Sequence, residues 1–177
     1  KTLELAYDDW CIALLASGRG DKPSESEYYA RSFAFERIWD PTTRFMRPKR
    51  ADGSFRPDFD PLDTHAQGYI EGNAWTYSLY VPQDPAWLVR AHGGPEVFTT
   101  HLDSLFTMEL PDRYFEHTED ITRDGIVGNY VHGNEPGHHI PYLYNWAGRP
   151  DRTQERVRML CRDMYSDGVD GLCGNDD

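Results

Sequence analysis

The chain has 177 residues and carries 18 Lys plus Arg against 30 Asp plus Glu, a net charge of −12. Too few cations remain to neutralise a phosphate backbone, which argues against nucleic-acid binding. A hydrophobic share of 38%, rich in Trp, Tyr and Phe, supplies a packed core and excludes intrinsic disorder.

No apolar run approaches the roughly 18 residues that a membrane span needs. The first residues carry neither the basic start nor the apolar stretch of a signal peptide. Cys11, Cys161 and Cys173 show no CxxC spacing and read as two buried thiols and one loop cysteine.

In chain order, Thr2 to Ser17 places Leu3, Ala6, Tyr7, Trp10, Leu14 and Leu15 on one helical face before Gly18 and Gly20 stop it. Ser24, with Glu27 three positions on, reads as a capping box. From it a stripe of Tyr28, Ala30, Phe33 and Ile38 runs to Asp40-Pro41, so the first two helices form a hairpin. Between Asp40 and Asp63 the periodicity is lost and prolines accumulate, which predicts a long loop of the kind that carries function. Helical signal resumes at Tyr69 to Tyr80 and breaks at Pro82. It restarts with Asp84 as N-cap and Pro85 in the first turn, and ends at Gly93-Gly94. Pro95 opens a helix through Phe106, and Pro111 to Asp124 reads as loop. Pro136 begins a helix to Ala147-Gly148, and Asp151 or Thr153 caps a last one reaching about Tyr165. The expected fold is all-α: stacked helical hairpins with few or no strands.

Three polar clusters carry chemistry. The densest runs from Gly128 to His139, with His132, Asn134, Glu135, His138 and His139 at three- and four-residue spacings. It reads as a zinc site, as a hard-cation site with oxygen donors from Asn134 and Glu135, or as groups satisfying the backbone at a helix start. Pro136 counts against zinc, because a helix beginning there cannot hold all four on one face. The second cluster, Gln67 to Tyr77, puts Glu71, Asn73 and Trp75 together, the carboxylate, amide and aromatic platform that a sugar site needs. A core Trp75 beside a solvated Glu71 is the competing reading. In the third, Asp170 to Asp177, the glycines and Asn175 shape a tight turn around Asp176 and Asp177. If either faced Glu71 across a pocket, the pair would supply acid and base for glycoside hydrolysis.

Five strings together carry a resemblance: Tyr7-Asp8-Asp9-Trp10, Asp40 to Pro48, Glu71-Gly72-Asn73-Ala74-Trp75, His132 to Asn145, and Asp170 to Asp177. They resemble, in order over nearly the whole chain, the catalytic region of glycoside hydrolase family 92, the calcium-dependent exo-α-mannosidases. The resemblance implies part of an (α/α)6 barrel, inversion at the anomeric carbon, and removal of terminal mannose from α-mannosides such as N-glycan branches. It also implies a secreted protein, extracellular or periplasmic.

In the family a β-sandwich precedes the barrel and further helices follow the Asn-Asp-Asp string. Neither is matched, so the expectation is one segment of the catalytic domain, truncated at both ends, whose partners are an α-mannoside and the remainder of the same enzyme. Helix faces such as that of Tyr142, Leu143 and Trp146 would then be left without neighbours. Carried over by position, Glu71 resembles the general acid and Asp176 or Asp177 the general base. Asn73, Trp75, His132, Asn134, His138 and His139 fall among the substrate-binding residues, and Asn134 with Glu135 in the calcium subsite. The family pattern is not followed at Thr76, Ser78, Leu79, Gln83 and Asn129. A non-catalytic helical sugar- or calcium-binding piece is the alternative reading.

Overall fold

The computed structural model describes residues 1–65, 67–115, 125–169 and 171–173. Among them the fold is helical, with six α-helices and four strands of two residues each.

Helix α1 (Thr2–Arg19) and helix α2 (Lys22–Arg31) form the expected hairpin, but the details differ. The buried face of α1 is Leu3, Ala6, Asp9, Ala13 and Ala16. Small side chains there let α2 approach closely, and Asp9 pairs with Arg31 at 2.9 Å. Of the stripe expected to face inward, Leu3 and Ala6 are buried and Tyr7 and Trp10 half-buried, but Leu14 and Leu15 point out, 52% and 63% exposed. Ser24 is not the cap of α2. Asp21 is, accepting from the Ser24 N–H at 3.2 Å, and Pro23 occupies the first turn. Helix α2 stops at Arg31, well short of Asp40. A 3-10 turn, Ala34–Ile38, then leads into strand β1 (Trp39–Asp40), which pairs antiparallel with β2 (Phe45–Met46).

The turn between these strands is built by Asp40. Its carboxylate accepts from the Thr42 N–H at 2.9 Å, the Thr43 hydroxyl at 3.0 Å and the Arg47 guanidinium at 2.6 Å. Burial alone would raise this carboxyl; the Arg47 bond and the two turn bonds outweigh it and hold Asp40 below its ordinary value.

The helix expected over Tyr69 to Tyr80 shrinks to one turn, α3 (Ala74–Tyr77). Its aromatic residues are claimed by different neighbours: Tyr69 bonds the Met46 carbonyl and Trp75 stacks on His101. Helices α4 (Pro85–Ala91), capped by Asp84, and α5 (Pro95–Thr107) follow as expected. Between them and the β1–β2 hairpin lies an aromatic plate of Phe35, Trp39, Trp87, His92, Phe98 and His101.

Strands β3 (Ile126–Val127) and β4 (Tyr130–Val131) make a second hairpin, where no strand was expected. It sits on the end of α5, with the Asn129 N–H donating to the Leu105 carbonyl at 2.8 Å. Gly128, at φ +65°, is required there, because a Cβ would lie 2.5 Å from that same carbonyl oxygen.

After it, the single helix expected from Pro136 is two 3-10 segments, Glu135–Gly137 and Ile140–Asn145. Prolines at the head of each suit these short pieces. Leu143 is buried here, while Tyr142 and Trp146 are exposed. Helix α6 (Pro150–Asp163) starts after Arg149 without a side-chain cap from Asp151 or Thr153. It is fastened by Arg156, which shares Asp103 of α5 with the Tyr144 hydroxyl.

The core runs through these elements, with Met46, Leu79, Leu88, Leu102 and Tyr130 at 0% exposure. The cysteine expectation fails: Cys11 and Cys161 are exposed and Cys173 is half-buried, because the helix faces that carry the first two turn outward. Among the described residues no helix is long and apolar enough to cross a membrane.

Candidate active site

Glu71 reaches the site on a short irregular stretch that ends where α3 begins. Gly72, at φ +61°, turns the chain so tightly that a Cβ there would meet the Thr76 hydroxyl at 2.8 Å. Asn73 follows as the N-cap of α3, its carboxamide oxygen accepting from the Trp75 and Thr76 N–H groups at 3.1 and 3.4 Å. Its Nδ2 donates to the Asn129 carboxamide at 2.9 Å and to the Leu62 carbonyl at 3.3 Å. Asn73 is wholly buried, and these bonds engage both ends of its amide inside the protein. It forms the frame behind Glu71.

The two strings richest in polar residues meet directly. Asn134 Nδ2 donates to Glu71 Oε2 at 3.0 Å across 63 positions of sequence. Asn134 is buried, Glu71 half-buried and Glu135 exposed. The β3–β4 hairpin makes this meeting possible: Asn129, in its turn, bonds Asn73, and Asn134 follows its second strand.

The histidines are committed elsewhere. His132 lies between the hydroxyls of Tyr130 at 2.8 Å and Tyr165 at 2.7 Å. His138 Nε2 donates to the His132 carbonyl at 2.8 Å, and His139 Nε2 to the Leu79 carbonyl at 2.7 Å. Burial lowers both His132 and His139 below the ordinary imidazole value, with the neighbouring His138 adding to the effect on each. The His132 and His138 rings lie 5.2 Å apart, but among the described residues no three His, Cys, Asp or Glu side chains gather as metal ligands. The geometry therefore removes the support for a zinc cluster. Oxygen donors remain at the same turn: the Asn134 carboxamide, the exposed Glu135 carboxylate and adjacent carbonyls, a set of hard-cation character.

Trp75 is half-buried and stacks on His101 with centroids 4.4 Å apart and planes 11° from parallel. Phe45 meets it edge-on at 5.3 Å. One face of the indole is therefore covered from within. Asp176 and Asp177 lie outside the described residues.

The positions that break the family pattern carry structural bonds. Ser78 Oγ accepts from the Met46 N–H at 2.9 Å, Gln83 Nε2 donates to the Ser32 carbonyl at 3.3 Å, and Leu79 is fully buried. Sequence reading passes over the support that His101, Tyr130, Tyr165 and Glu4 give the site. Tyr130 bonds His132 from only two positions away, whereas His101 on Trp75, Tyr165 on His132 and Glu4 on Tyr77 act across long stretches of chain that no local pattern marks.

The sequence profile of the glycosyl hydrolase family 92 catalytic domain matches residues 1–177. A family GH92 α-mannosidase from Bacteroides thetaiotaomicron, solved with mannoimidazole, superposes with a TM-score of 0.89 at 37% identity over 99% of this chain and 23% of that one. A second structure, of a family GH92 inverting mannosidase from Bacteroides thetaiotaomicron VPI-5482, gives 0.83 at 33% identity over 100% and 25%. An uncharacterized secreted glycosidase of Arthroderma benhamiae is 27% identical over 100% of this chain and 23% of its own length. The chain thus spans about a quarter of each relative. With the profile matched from end to end, the chain belongs to glycosyl hydrolase family 92, in its catalytic domain.

Proposed function

We propose that the protein carrying this chain is an exo-acting α-mannosidase that inverts the anomeric centre, with Glu71 as general acid. The observation that supports it most is the Asn134 to Glu71 hydrogen bond, which brings the acidic string and the His132 to His139 string into one half-buried site. A carboxamide suits a general acid because it serves both protonation states. Its N–H donates to the carboxylate, and its oxygen, after a flip, accepts from the acid. Glu71 would give its proton to the departing glycosidic oxygen, and Asp176 or Asp177 would take one from water on the opposite face. Inversion leaves room for that water, with the carboxyl groups about 6.5 to 9.5 Å apart.

In this reading His132 and His138 would meet sugar hydroxyls only by exchanging the bonds they hold to tyrosine hydroxyls and a carbonyl, whereas Asn73 and the covered face of Trp75 belong to the frame. A calcium ion held by Asn134, Glu135 and neighbouring carbonyls would polarise and orient sugar hydroxyls. The helical hairpins fit one portion of an (α/α)6 barrel. In this reading the rest of the barrel and a preceding β-sandwich domain belong to the full-length protein. Export from the cell is supported by the relative described as secreted, and N-glycan branches are the substrate class proposed.

The test is cleavage of a methyl α-mannoside by the full-length protein with calcium, followed by NMR of the first product. Release of β-mannose is expected. Release of α-mannose overturns inversion, and no cleavage of any α-mannoside overturns the reading.

A further inference from the structure

Helix α3 is a single turn, too short to be held by its own hydrogen bonds. It is fixed from outside at both ends. At its start, Asn73 is bonded to Asn129. At its end, the Tyr77 hydroxyl donates to the carboxylate of Glu4 in the first turn of α1, 73 positions away.

Tyr77 is buried at 3% exposure, and its ring lies between Tyr69 and Tyr80 at 6.0 and 6.1 Å, so the phenol has little freedom to swing. Burial raises this phenol furthest, followed by the Glu4 bond, the Glu4 charge and the charge of Glu71. It therefore stays a hydrogen donor throughout the working pH range. Glu71 itself stands just before the N-cap, joined to α3 through the tight turn at Gly72. Any rotation or slip of the one-turn helix is passed to the carboxyl group.

We propose that Glu4, acting through Tyr77, is a positioning residue for Glu71: the bond between α1 and α3 sets where the acid's carboxyl group stands over the scissile bond. Glu4 does not touch the reacting atoms. This inference rests on the mannosidase reading of Glu71. The consequence is selective. A displaced acid harms substrates whose leaving group must be protonated and spares those whose leaving group departs unaided.

The experiment uses the full-length protein, an α-linked mannose disaccharide and a 4-nitrophenyl α-mannoside, with three variants. Tyr77→Phe keeps the ring and loses the hydroxyl, and Glu4→Ala removes the acceptor. Glu4→Gln keeps an amide oxygen that still accepts from Tyr77. Tyr77→Phe and Glu4→Ala are expected to lose about 10- to 100-fold in kcat on the disaccharide at unchanged KM, and far less on the aryl mannoside. Glu4→Gln should stay near wild type, and the double variant Glu4→Ala/Tyr77→Phe should be no worse than either single one, since both break one link. Equal losses on the two substrates, unchanged kcat in Tyr77→Phe, or Glu4→Gln failing as Glu4→Ala does would overturn the positioning role. If the wild type cleaves neither mannoside, the functional reading fails first and this inference with it.

Discussion

Asn73 and Asn129 stand 56 positions apart and are joined by a 2.9 Å hydrogen bond between fully buried carboxamides. The first is the cap of α3, the second the turn of the β3–β4 hairpin, so one bond locks the two halves of the site together. Asn73→Ala removes that bond and the cap at once and leaves the Asn129 carboxamide stranded in the interior. A loss of about 2 to 4 kcal/mol is expected from the cap plus an unsatisfied buried group. Urea unfolding of the full-length protein with and without the substitution checks it. A loss below about 1 kcal/mol, the net worth of one ordinary hydrogen bond, would speak against the locking role.

Glu71→Gln should slow hydrolysis of poor-leaving-group mannosides by about 10² to 10⁴-fold, the range of general acid catalysis, while sparing activated aryl mannosides. Asn134→Ala removes one hydrogen bond to the Glu71 carboxylate and should lose about 10-fold on the same substrates. If Glu135→Gln showed the leaving-group dependence instead, the roles of the two glutamates would be exchanged.

Chelation of calcium should abolish activity, with Ca²⁺ restoring it and Zn²⁺ failing to do so. The reason is the donor set. His132, His138 and His139 are spent on tyrosine hydroxyls and backbone carbonyls, which leaves oxygen ligands at the Asn134 turn. Restoration by zinc alone would mean that the histidines rearrange to bind metal.

Acid stability should depend on two histidines, the buried His92 and the half-buried His101. Burial lowers His92 to about 4 and His101 to about 3, and the Nε2 atom of each lies buried with no hydrogen-bond partner among the described residues. Both are neutral in the folded state at pH 7. As pH falls below about 6.5 the unfolded chain takes up protons that the folded one refuses. Stability then declines by up to about 1.4 kcal/mol per pH unit for each histidine, until the folded-state values are reached. His101→Phe keeps a ring against Trp75 and removes one of the two contributions. Its thermal midpoint should fall less steeply than that of the wild type between pH 6.5 and 4, and parallel curves would show that His101 does not carry the effect.

Some of this architecture is legible in the sequence. Asp84-Pro85 and Gly94-Pro95 mark α4 and α5 because a cap or glycine followed by proline is a local signal that tertiary packing does not override. The cap of α2 is easily misplaced because Asp21 and Ser24 are both good caps three residues apart, and Pro23 in the first turn favours the earlier one. The stripe on α1 holds for Leu3 and Ala6 but misleads at Leu14 and Leu15, because hydrophobicity does not say which face meets a neighbour, and there Ala13 and Ala16 do. Within the site, Glu71 and Asn134 can be named from their strings, but their mutual bond cannot. Periodicity carries no information about contacts 63 positions apart. The Gly128-Asn129 pair is the available clue to the second hairpin, being a two-residue turn signal.

The bonds that assemble the site join residues 56, 63 and 73 positions apart. Closing loops of that length carries an entropic penalty that local contacts do not share, so these pairings form late in folding. The α1–α2 hairpin, whose partners are neighbours in the chain, forms early. Substitutions at Asn129 or Asn134 should accordingly speed unfolding while leaving the folding rate nearly untouched, with φ-values near zero at both. Glu71 is therefore expected to be among the last parts of this segment to be put in place, and among the first to be lost when the fold begins to open.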